Sequence, residues 1–211
     1  MSGDAVTKLM LGTAAVIDVE TTGLNPHRDE IVELAITLFR YDRVKGQVLE
    51  VVSEYSGLRE PSCPIRRDAT AVHGITRRMV QGLKLNYPRV RAMLREADFL
   101  VAHNAEFDRG FVERLAPSLR NRTWFCSLNG IDWEARGFAS RRLEDLAAAH
   151  RIENPNHDAA NRTTAGFPTN PLQIYSSTPN QWRPQQFGAR CLARPYRSRY
   201  RSDCRARLYG F

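Results

Sequence analysis

Two acidic side chains follow a short apolar run in the segment IDVETTGLNP. Asp18 and Glu20 are two residues apart, so on a β-strand their side chains leave the same face. Gly23 and the Asn25-Pro26 pair then predict a turn, which places both carboxylates at the carboxyl end of a strand, where open α/β sheets bind ligands. A bare Asp-x-Glu also fits two solvated acids, so the pair alone leaves both interpretations open.

A third acid, Asp108, has an unusual place on an amphipathic helix. Asp108 is position i of a helical stripe whose next members, at i+3, i+4 and i+7, are the apolar residues Phe111, Val112 and Leu115. This stripe is predicted to face the sheet. An acid near a helix amino terminus also interacts with the helix dipole, but an outward-facing acid does so equally well. A carboxylate turned inward needs a cation, because desolvation and neighbouring acids otherwise raise its pKa until it protonates.

Three carboxylates at the ends of two strands would form an all-oxygen site, which suits Mg²⁺ or Mn²⁺ rather than Zn²⁺. Two such ions about 3.5 to 4 Å apart can activate a water molecule and stabilise the leaving oxygen of a phosphodiester. The chemistry that these residue types predict is therefore metal-dependent phosphodiester hydrolysis.

The elements that must position these acids follow from the hydrophobic pattern. Apolar runs rich in β-branched residues predict five strands, at 13–19, 31–40, 47–55, 99–103 and 123–126. Helical spacing predicts a helix from Pro88, a helix over 105–115 with Asn104 as N-cap, and a helix capped by Ser140. A meander followed by alternating helices and strands indicates an α/β fold, a mixed five-stranded sheet flanked by helices.

The 211 residues carry a net charge of +8, and this charge is concentrated in one segment. Residues 162–202 contain seven arginines, no Lys, Asp or Glu, and five of the eleven prolines, which leaves a net charge of +1 for the rest. This composition predicts an unstructured insertion. Its end, RPYRSRYRS, suits the binding of single-stranded nucleic acid, but a solvated loop explains it as well.

The remaining features predict a cytoplasmic protein without a membrane segment. The chain has no uncharged apolar run near the roughly 18 residues of a membrane span. Its start lacks the basic and apolar regions of a secretory signal. The four cysteines show neither CxxC nor metal-ligand spacing, which favours reduced thiols.

Three segments carry longer motifs: IDVETTGLNP, PIRRDATAVHGIT (64–76) and HNAEFDRGF (103–111). In this order they resemble the DEDD exonuclease superfamily, in its His-containing DEDDh branch, close to the DnaQ-like exonuclease domain of the DNA polymerase III epsilon subunit. The resemblance covers residues 13 to about 161. It implies an RNase H-like fold and a 3′-to-5′ exonuclease, with Asp18, Glu20 and Asp108 as ligands of two Mg²⁺ or Mn²⁺ ions.

The third motif of that family has a histidine followed five residues later by the fourth aspartate. Here the fifth residue after His157 is Arg162, the first residue of the basic segment. When residues 162–202 are removed, Asp203 falls at the required position, so we predict that an insertion splits the motif. The predicted boundaries are 1–161 with 203–211 for the exonuclease domain and 162–202 for the insertion.

The resemblance assigns roles to the residues of this third motif. His157 would be the general base that deprotonates the attacking water, a task that suits an imidazole near neutral pH. Asp203 would be the fourth metal ligand, and Asp158 is a rival that is off register with the family spacing.

Four residues beside the ligands are predicted to contact the terminal nucleotide: Thr21, His103, Asn104 and Phe107. Phe107 offers a stacking face, and packing or capping explains each of the four equally well. His73 is expected to have a structural or substrate-positioning role.

The predicted substrate is the 3′ end of single-stranded DNA, with RNA as the second candidate, in DNA repair or replication. The alternative function is a catalytically impaired nucleic-acid-binding module, because the third motif is split and only the nine residues from Asp203 to Phe211 remain for a closing helix. A DNA polymerase is the implied protein partner. A stand-alone nuclease is nevertheless expected, because no polymerase-binding tail follows the third motif.

Overall fold

The structure is a computed structural model, and it describes residues 10–150. Five strands are present within this range: β1 (Leu11–Thr21), β2 (Ile31–Asp42), β3 (Val48–Leu58), β4 (Phe99–Ala102) and β5 (Trp124–Cys126). The helices are α1 (Arg67–His73), α2 (Arg77–Val80), α3 (Tyr87–Glu96), α4 (Ala105–Leu115) and α5 (Leu143–Ala149), with a 3₁₀ turn at Pro117–Leu119.

The strands form one mixed sheet in the order β3-β2-β1-β4-β5. The first three strands are an antiparallel meander. β4 is parallel to β1, and β5 is parallel to β4. The prediction of an α/β fold with a mixed five-stranded sheet flanked by helices is therefore confirmed.

β1 is the central strand, and it is apolar on both faces. Ala15 and Ile17 belong to the main core, to which α3 and α4 contribute their buried residues. Ala14 and Val16 point to the opposite face, where they pack in a cluster with four aromatic residues of the other strands, Phe39, Tyr41, Phe99 and Phe125. This burial on both faces explains why the run that predicted β1 is almost continuously apolar.

Helices α3 and α4 form where the spacing predicts them. In α3 the side chain of Asn86 accepts a hydrogen bond from the N–H of Arg89, and Pro88 lies in the first turn. Asn104 precedes α4 as predicted, but its side chain makes no capping hydrogen bond, because its backbone is left-handed with φ of 76°.

The structure corrects the predicted helices in two further places. Helices α1 and α2 were not predicted, because helices of seven and four residues depend on tertiary packing rather than on local propensity. Helix α5 begins after Arg142 instead of a cap at Ser140. The Ser140 hydroxyl accepts a hydrogen bond from the Arg142 N–H at 3.2 Å and donates to the Asp145 carboxylate at 2.5 Å, so it stabilises the turn before the helix.

Residues 10–150 contain two of the four cysteines of the chain. No helix in this range has both the length and the apolar character that a membrane crossing requires. Cys63 and Cys126 are free thiols. The predicted insertion at 162–202 lies outside the described residues.

Candidate active site

The carboxyl ends of β1 and β4 meet at one edge of the sheet because the two strands are parallel. Asp18 and Glu20 lie at this end of β1, each partly buried. Asp108 lies in the first turn of α4, the helix that follows β4. The fold therefore brings the three acids to neighbouring strand ends.

Asp108 is joined directly to the strand that carries the other two acids. Its Oδ1 accepts a hydrogen bond from the backbone N–H of Val19 at 3.2 Å. Val19 lies between Asp18 and Glu20, beyond Val16, the last residue of β1 that pairs with β4. The Asp108 side chain is buried, with 3% of its surface exposed, so it faces inward as its helical spacing predicts.

The surroundings of Asp18 and Asp108 disfavour the ionised form of both carboxyl groups. Burial raises the pKa of Asp18 from 3.8 to about 6. Burial also raises the pKa of Asp108 well above 3.8, and the neighbouring charge of Asp18 adds to the effect, while that of Glu20 adds less. The N–H of Val19 opposes this shift because it stabilises the charged form of Asp108.

The three carboxylates are candidate ligands of a divalent cation. Within residues 10–150, no group of three or more His, Cys, Asp or Glu side chains is arranged to hold one. His157 and Asp203 lie outside the described residues, as does the rival Asp158. The donors nevertheless suit a hard divalent cation, because Asp108 is buried and Asp18 partly buried, the charge of Asp18 raises the pKa of Asp108, and both offer only oxygen atoms.

The chain beyond Glu20 is held by several hydrogen bonds. The Thr21 hydroxyl donates to the carbonyl of Gly23 at 2.7 Å. Thr22 is fully buried, and its Oγ1 accepts a hydrogen bond from the N–H of Glu30 at 3.0 Å. Thr21, which was predicted to contact substrate, therefore also fastens the turn after β1.

The loop between β1 and β2 rests on α4. Nη1 of Arg114 donates to the carbonyl oxygens of Pro26 and Asp29, at 2.7 and 3.0 Å. The Asp29 carboxylate accepts a hydrogen bond from the N–H of Asn25 at 2.8 Å. A Cβ atom added to Gly110 would lie 3.0 Å from Pro26, so the glycine allows this close approach. The loop that follows Glu20 is thereby attached to the helix that carries Asp108.

His103 directly follows β4, and it forms a hydrogen bond with Ser127, which directly follows β5. Its Nδ1 lies 2.9 Å from Oγ of Ser127, and Ser127 itself is fully buried. Burial lowers the pKa of His103 to about 4, and a backbone contact with Arg141 offsets only part of that shift. The imidazole is therefore neutral at neutral pH, a form that can accept or donate one hydrogen bond to a ligand.

The other two predicted substrate contacts are also described. Asn104 has the only positive φ of a non-glycine residue within residues 10–150, and its carbonyl accepts a hydrogen bond from the N–H of Phe107 at 2.9 Å. The Phe107 ring is partly buried, 5.0 Å from the ring of Phe111, and packs against the main core. Packing thus explains the position of the Phe107 ring. The left-handed backbone of Asn104, directly after His103, is a strained conformation of the kind often found at functional sites.

Sequence reasoning did not identify the roles of three residues at this edge: Thr22, Arg114 and Ser127. Arg114 resembles any solvated arginine on an amphipathic helix, since its partners are backbone carbonyls 85 and 88 residues away. Ser127 offered one signal, its position directly after the last predicted strand.

Comparison with known proteins identifies relatives over the same range. Residues 15–161 match the family model for exonuclease, RNase_T. The PolC-type DNA polymerase III of Thermotoga maritima is 36% identical over 125 residues, which cover 58% of this chain and 8% of that protein. A DNA polymerase III subunit epsilon-like protein of Rhodobacter capsulatus is 40% identical over 118 residues, covering 52% of this chain and 15% of the relative. The chain thus spans a small part of the length of these relatives.

Two solved structures share the fold. Exonuclease X, in complex with 5′ overhanging duplex DNA, superposes with a TM-score of 0.51 and 23% identity, over 78% of this chain and 87% of that one. An exonuclease I from Methylocaldum szegediense superposes with a TM-score of 0.56 and 19% identity, over 83% of this chain and 42% of that one. At this level of identity the two structures establish the fold.

Proposed function

The chain belongs to the exonuclease family, and from this membership we propose that it is a metal-dependent 3′-to-5′ exonuclease that releases nucleoside 5′-monophosphates from single-stranded DNA. The observation that carries the proposal is the hydrogen bond that Asp108 accepts from the N–H of Val19. Val19 lies between Asp18 and Glu20 in the sequence. This hydrogen bond attaches an acid of α4 to the strand that holds the other two acids. A structural role alone does not require three acids at one sheet edge.

In the proposed reaction, four carboxylates bind the cations and one histidine transfers a proton. Asp18, Glu20, Asp108 and Asp203 would hold two Mg²⁺ ions, which when bound supply positive charge beside the attacking and leaving oxygens. His157 would take a proton from the water that attacks phosphorus. The new bond joins this water oxygen to phosphorus, the bond from phosphorus to the 3′ oxygen breaks, and the released 3′ oxygen takes a proton.

DNA is the proposed substrate class because the relatives are named as DNA polymerase III proteins and one structural neighbour holds duplex DNA with a 5′ overhang. The single-stranded 3′ end is proposed from the resemblance of the motifs to the DEDDh exonucleases. RNA remains the second candidate. The residues proposed to hold the terminal nucleotide are Thr21, His103, Asn104 and Phe107. A DNA polymerase is the proposed protein partner, in place of the stand-alone nuclease expected from the sequence, because the relatives are named as DNA polymerase III proteins. The cytoplasm is the proposed compartment.

The proposed domain boundaries account for the split third motif. The family match ends at residue 161, and the basic segment begins at Arg162. Deletion of residues 162–202 would place Asp203 five residues after His157, the spacing of the family motif. We propose that the exonuclease domain consists of residues 1–161 and 203–211.

The function is tested by digestion of a 5′-labelled single-stranded DNA with Mg²⁺ or Mn²⁺. We expect a ladder that shortens from the 3′ end, release of nucleoside monophosphates, and no reaction in EDTA. Asp18→Asn, Glu20→Gln and Asp108→Asn should each reduce the rate by about 100-fold or more, since each removes a charge that stabilises the cation. Glu50→Gln is the control, because Glu50 is an exposed acid of β3.

The second candidate, a catalytically impaired nucleic-acid-binding module, is favoured by the split motif. It is separated from the first by comparing the full chain with a chain that lacks residues 162–202. Equally strong hydrolysis by both chains excludes the impaired module. Hydrolysis only after the deletion, with DNA binding by both chains, supports it. If neither chain hydrolyses DNA or RNA in Mg²⁺ or Mn²⁺, the exonuclease proposal is wrong.

A further inference from the structure

The pairing of β1 with β2 changes directly after Glu20. Glu20 lies opposite Glu33, but the next residue, Thr21, lies opposite Ile31, so Val32 is the extra residue of a β-bulge. A bulge locally disrupts the hydrogen bonds of a ladder, and the backbone at this point needs other partners. The backbone conformation at this bulge sets the direction in which the Glu20 side chain leaves the strand.

A segment distant in sequence supplies those partners. The carbonyl of Thr21 accepts a hydrogen bond from Nε2 of His73 at 3.1 Å, across 52 residues. The carbonyl of Thr22 accepts one from the backbone N–H of Arg66 at 3.0 Å. Helix α1, between Arg66 and His73, is therefore attached to the end of β1 at both of its ends.

His73 is itself fixed on both sides of its ring. Its side chain is buried, and its Nδ1 accepts a hydrogen bond from the N–H of Ile75 at 3.0 Å. An Nδ1 that accepts carries no proton, so the neutral ring has its proton on Nε2 and donates it to the Thr21 carbonyl. The tautomer is thus set by the hydrogen bond to Ile75.

The same packing fixes His73 and the bulge. Ile75 is buried in a small apolar cluster with Val32, the bulged residue of β2, and with Val80 of α2. Gly74 allows the sharp turn between His73 and Ile75, because it adopts φ of 72°. Movement of Ile75 or Val32 would therefore change both the bulge and the position of the His73 imidazole.

We infer that His73 is a positioning residue for Glu20. Its Nε2–H holds the peptide that follows Glu20, and thereby fixes the direction in which that carboxylate leaves the strand. It acts through the backbone of Thr21. The inference rests on the proposed function, in which Glu20 is a ligand of a divalent cation.

Two substitutions separate this role from simple packing. The amide nitrogen of Gln in His73→Gln lies near the position of Nε2 and can still donate to the Thr21 carbonyl. The shorter side chain in His73→Asn can accept from the Ile75 N–H but cannot reach Thr21. A positioning role requires that the Gln variant retain function and the Asn variant lose it, whereas a role limited to the turn at Ile75 requires the reverse order.

The readouts are the rise in melting temperature caused by Mn²⁺ and the Mg²⁺ concentration that gives half-maximal hydrolysis. For His73→Asn we expect a smaller rise with Mn²⁺ and a requirement for about 10-fold more Mg²⁺, the usual size of an effect on groups that orient a metal ligand. His73→Gln should stay close to the wild-type chain in both. Melting in EDTA measures the stability of each variant separately.

Each outcome decides the inference. A wild-type metal response in a folded His73→Asn overturns it, and so does a lost response in a folded His73→Gln, which tests the inference even if the Asn variant fails to fold. These results leave the proposed function standing as long as the wild-type chain responds to metal. A wild-type chain with neither an Mn²⁺ response nor hydrolysis overturns the proposed function and the inference together.

Discussion

Asp108 accepts a hydrogen bond from the backbone N–H of Val19 and therefore lies beside Asp18 at the end of the central strand. Burial raises the pKa of both carboxylates, and the charge of Asp18 raises the pKa of Asp108 further. A bound cation would stabilise the charged form of both carboxylates. The same geometry makes the metal-free protein sensitive to pH.

The first prediction concerns the pH dependence of the metal-free protein. Asp18 has a folded pKa of about 6 against an ordinary value of 3.8, so the folded state binds more protons than the unfolded state between these values. Its contribution to the free energy of unfolding therefore falls as pH rises through this interval and stays low above it. Asp18→Asn lacks this loss, and in EDTA it should be more stable than the wild-type chain by about 1 to 3 kcal/mol near neutral pH.

Urea unfolding in EDTA at several pH values measures this difference. Asp18→Asn and the wild-type chain should converge below the ordinary pKa of the carboxyl group, where both side chains are neutral. Glu50→Gln is the control, because Glu50 is an exposed acid of β3. Parallel curves for Asp18→Asn and the wild-type chain would show that Asp18 is not destabilised by ionisation.

The second prediction concerns addition of the metal. Mg²⁺ or Mn²⁺ should raise the melting temperature of the wild-type chain near neutral pH, because a ligand that binds only the folded state stabilises it by mass action. EDTA should reverse the rise. Asp18→Asn and Asp108→Asn should show little or no rise although both melt at higher temperature in EDTA, and a full rise in either variant would contradict a shared cation.

The third prediction concerns the loop between β1 and β2. Arg114→Met removes the donor that satisfies the carbonyls of Pro26 and Asp29, and should lower the free energy of unfolding by about 1 to 3 kcal/mol. Amide hydrogen exchange should be faster in residues 25–30. Arg109→Met is the matched control on the same helix, since Arg109 pairs with Glu113 in an i,i+4 ion pair worth about 0.5 kcal/mol. Equal effects of the two variants would show that the hydrogen bonds of Arg114 to Pro26 and Asp29 do not hold the loop.

The fourth prediction concerns the close approach at Gly23. A Cβ atom there would lie 2.6 Å from Cδ of Arg66 and 2.7 Å from Oδ2 of Asp29. Gly23→Ala should therefore destabilise the protein by about 1 to 3 kcal/mol. Adding Arg66→Ala should relieve only part of the loss, because the contact with Asp29 remains. Unfolding of both variants in denaturant checks this, and an unchanged single variant would show that the turn can move freely.

Periodicity was sufficient to predict much of the fold. The central strand is apolar on both faces, and α4 buries the stripe that its spacing predicts, including Asp108. Helices α1 and α2 were not predictable in this way, because each is too short to carry a periodic pattern and is held by contacts such as that of Ile75 with Val32. Local patterns report which face of an element is apolar, but not which distant segment will cover it.

The sequence by itself determined the kind of chemistry: three acids whose spacing turns them toward one sheet edge, within motifs of an exonuclease. Only the tertiary structure decided that Asp108 contacts the backbone between the other two acids, that His73 holds the peptide after Glu20, and that Arg114 attaches the following loop to α4. The physical reason is that each of these contacts joins a side chain to a backbone group. Every residue has the same backbone groups, so no residue type marks the partner in the sequence.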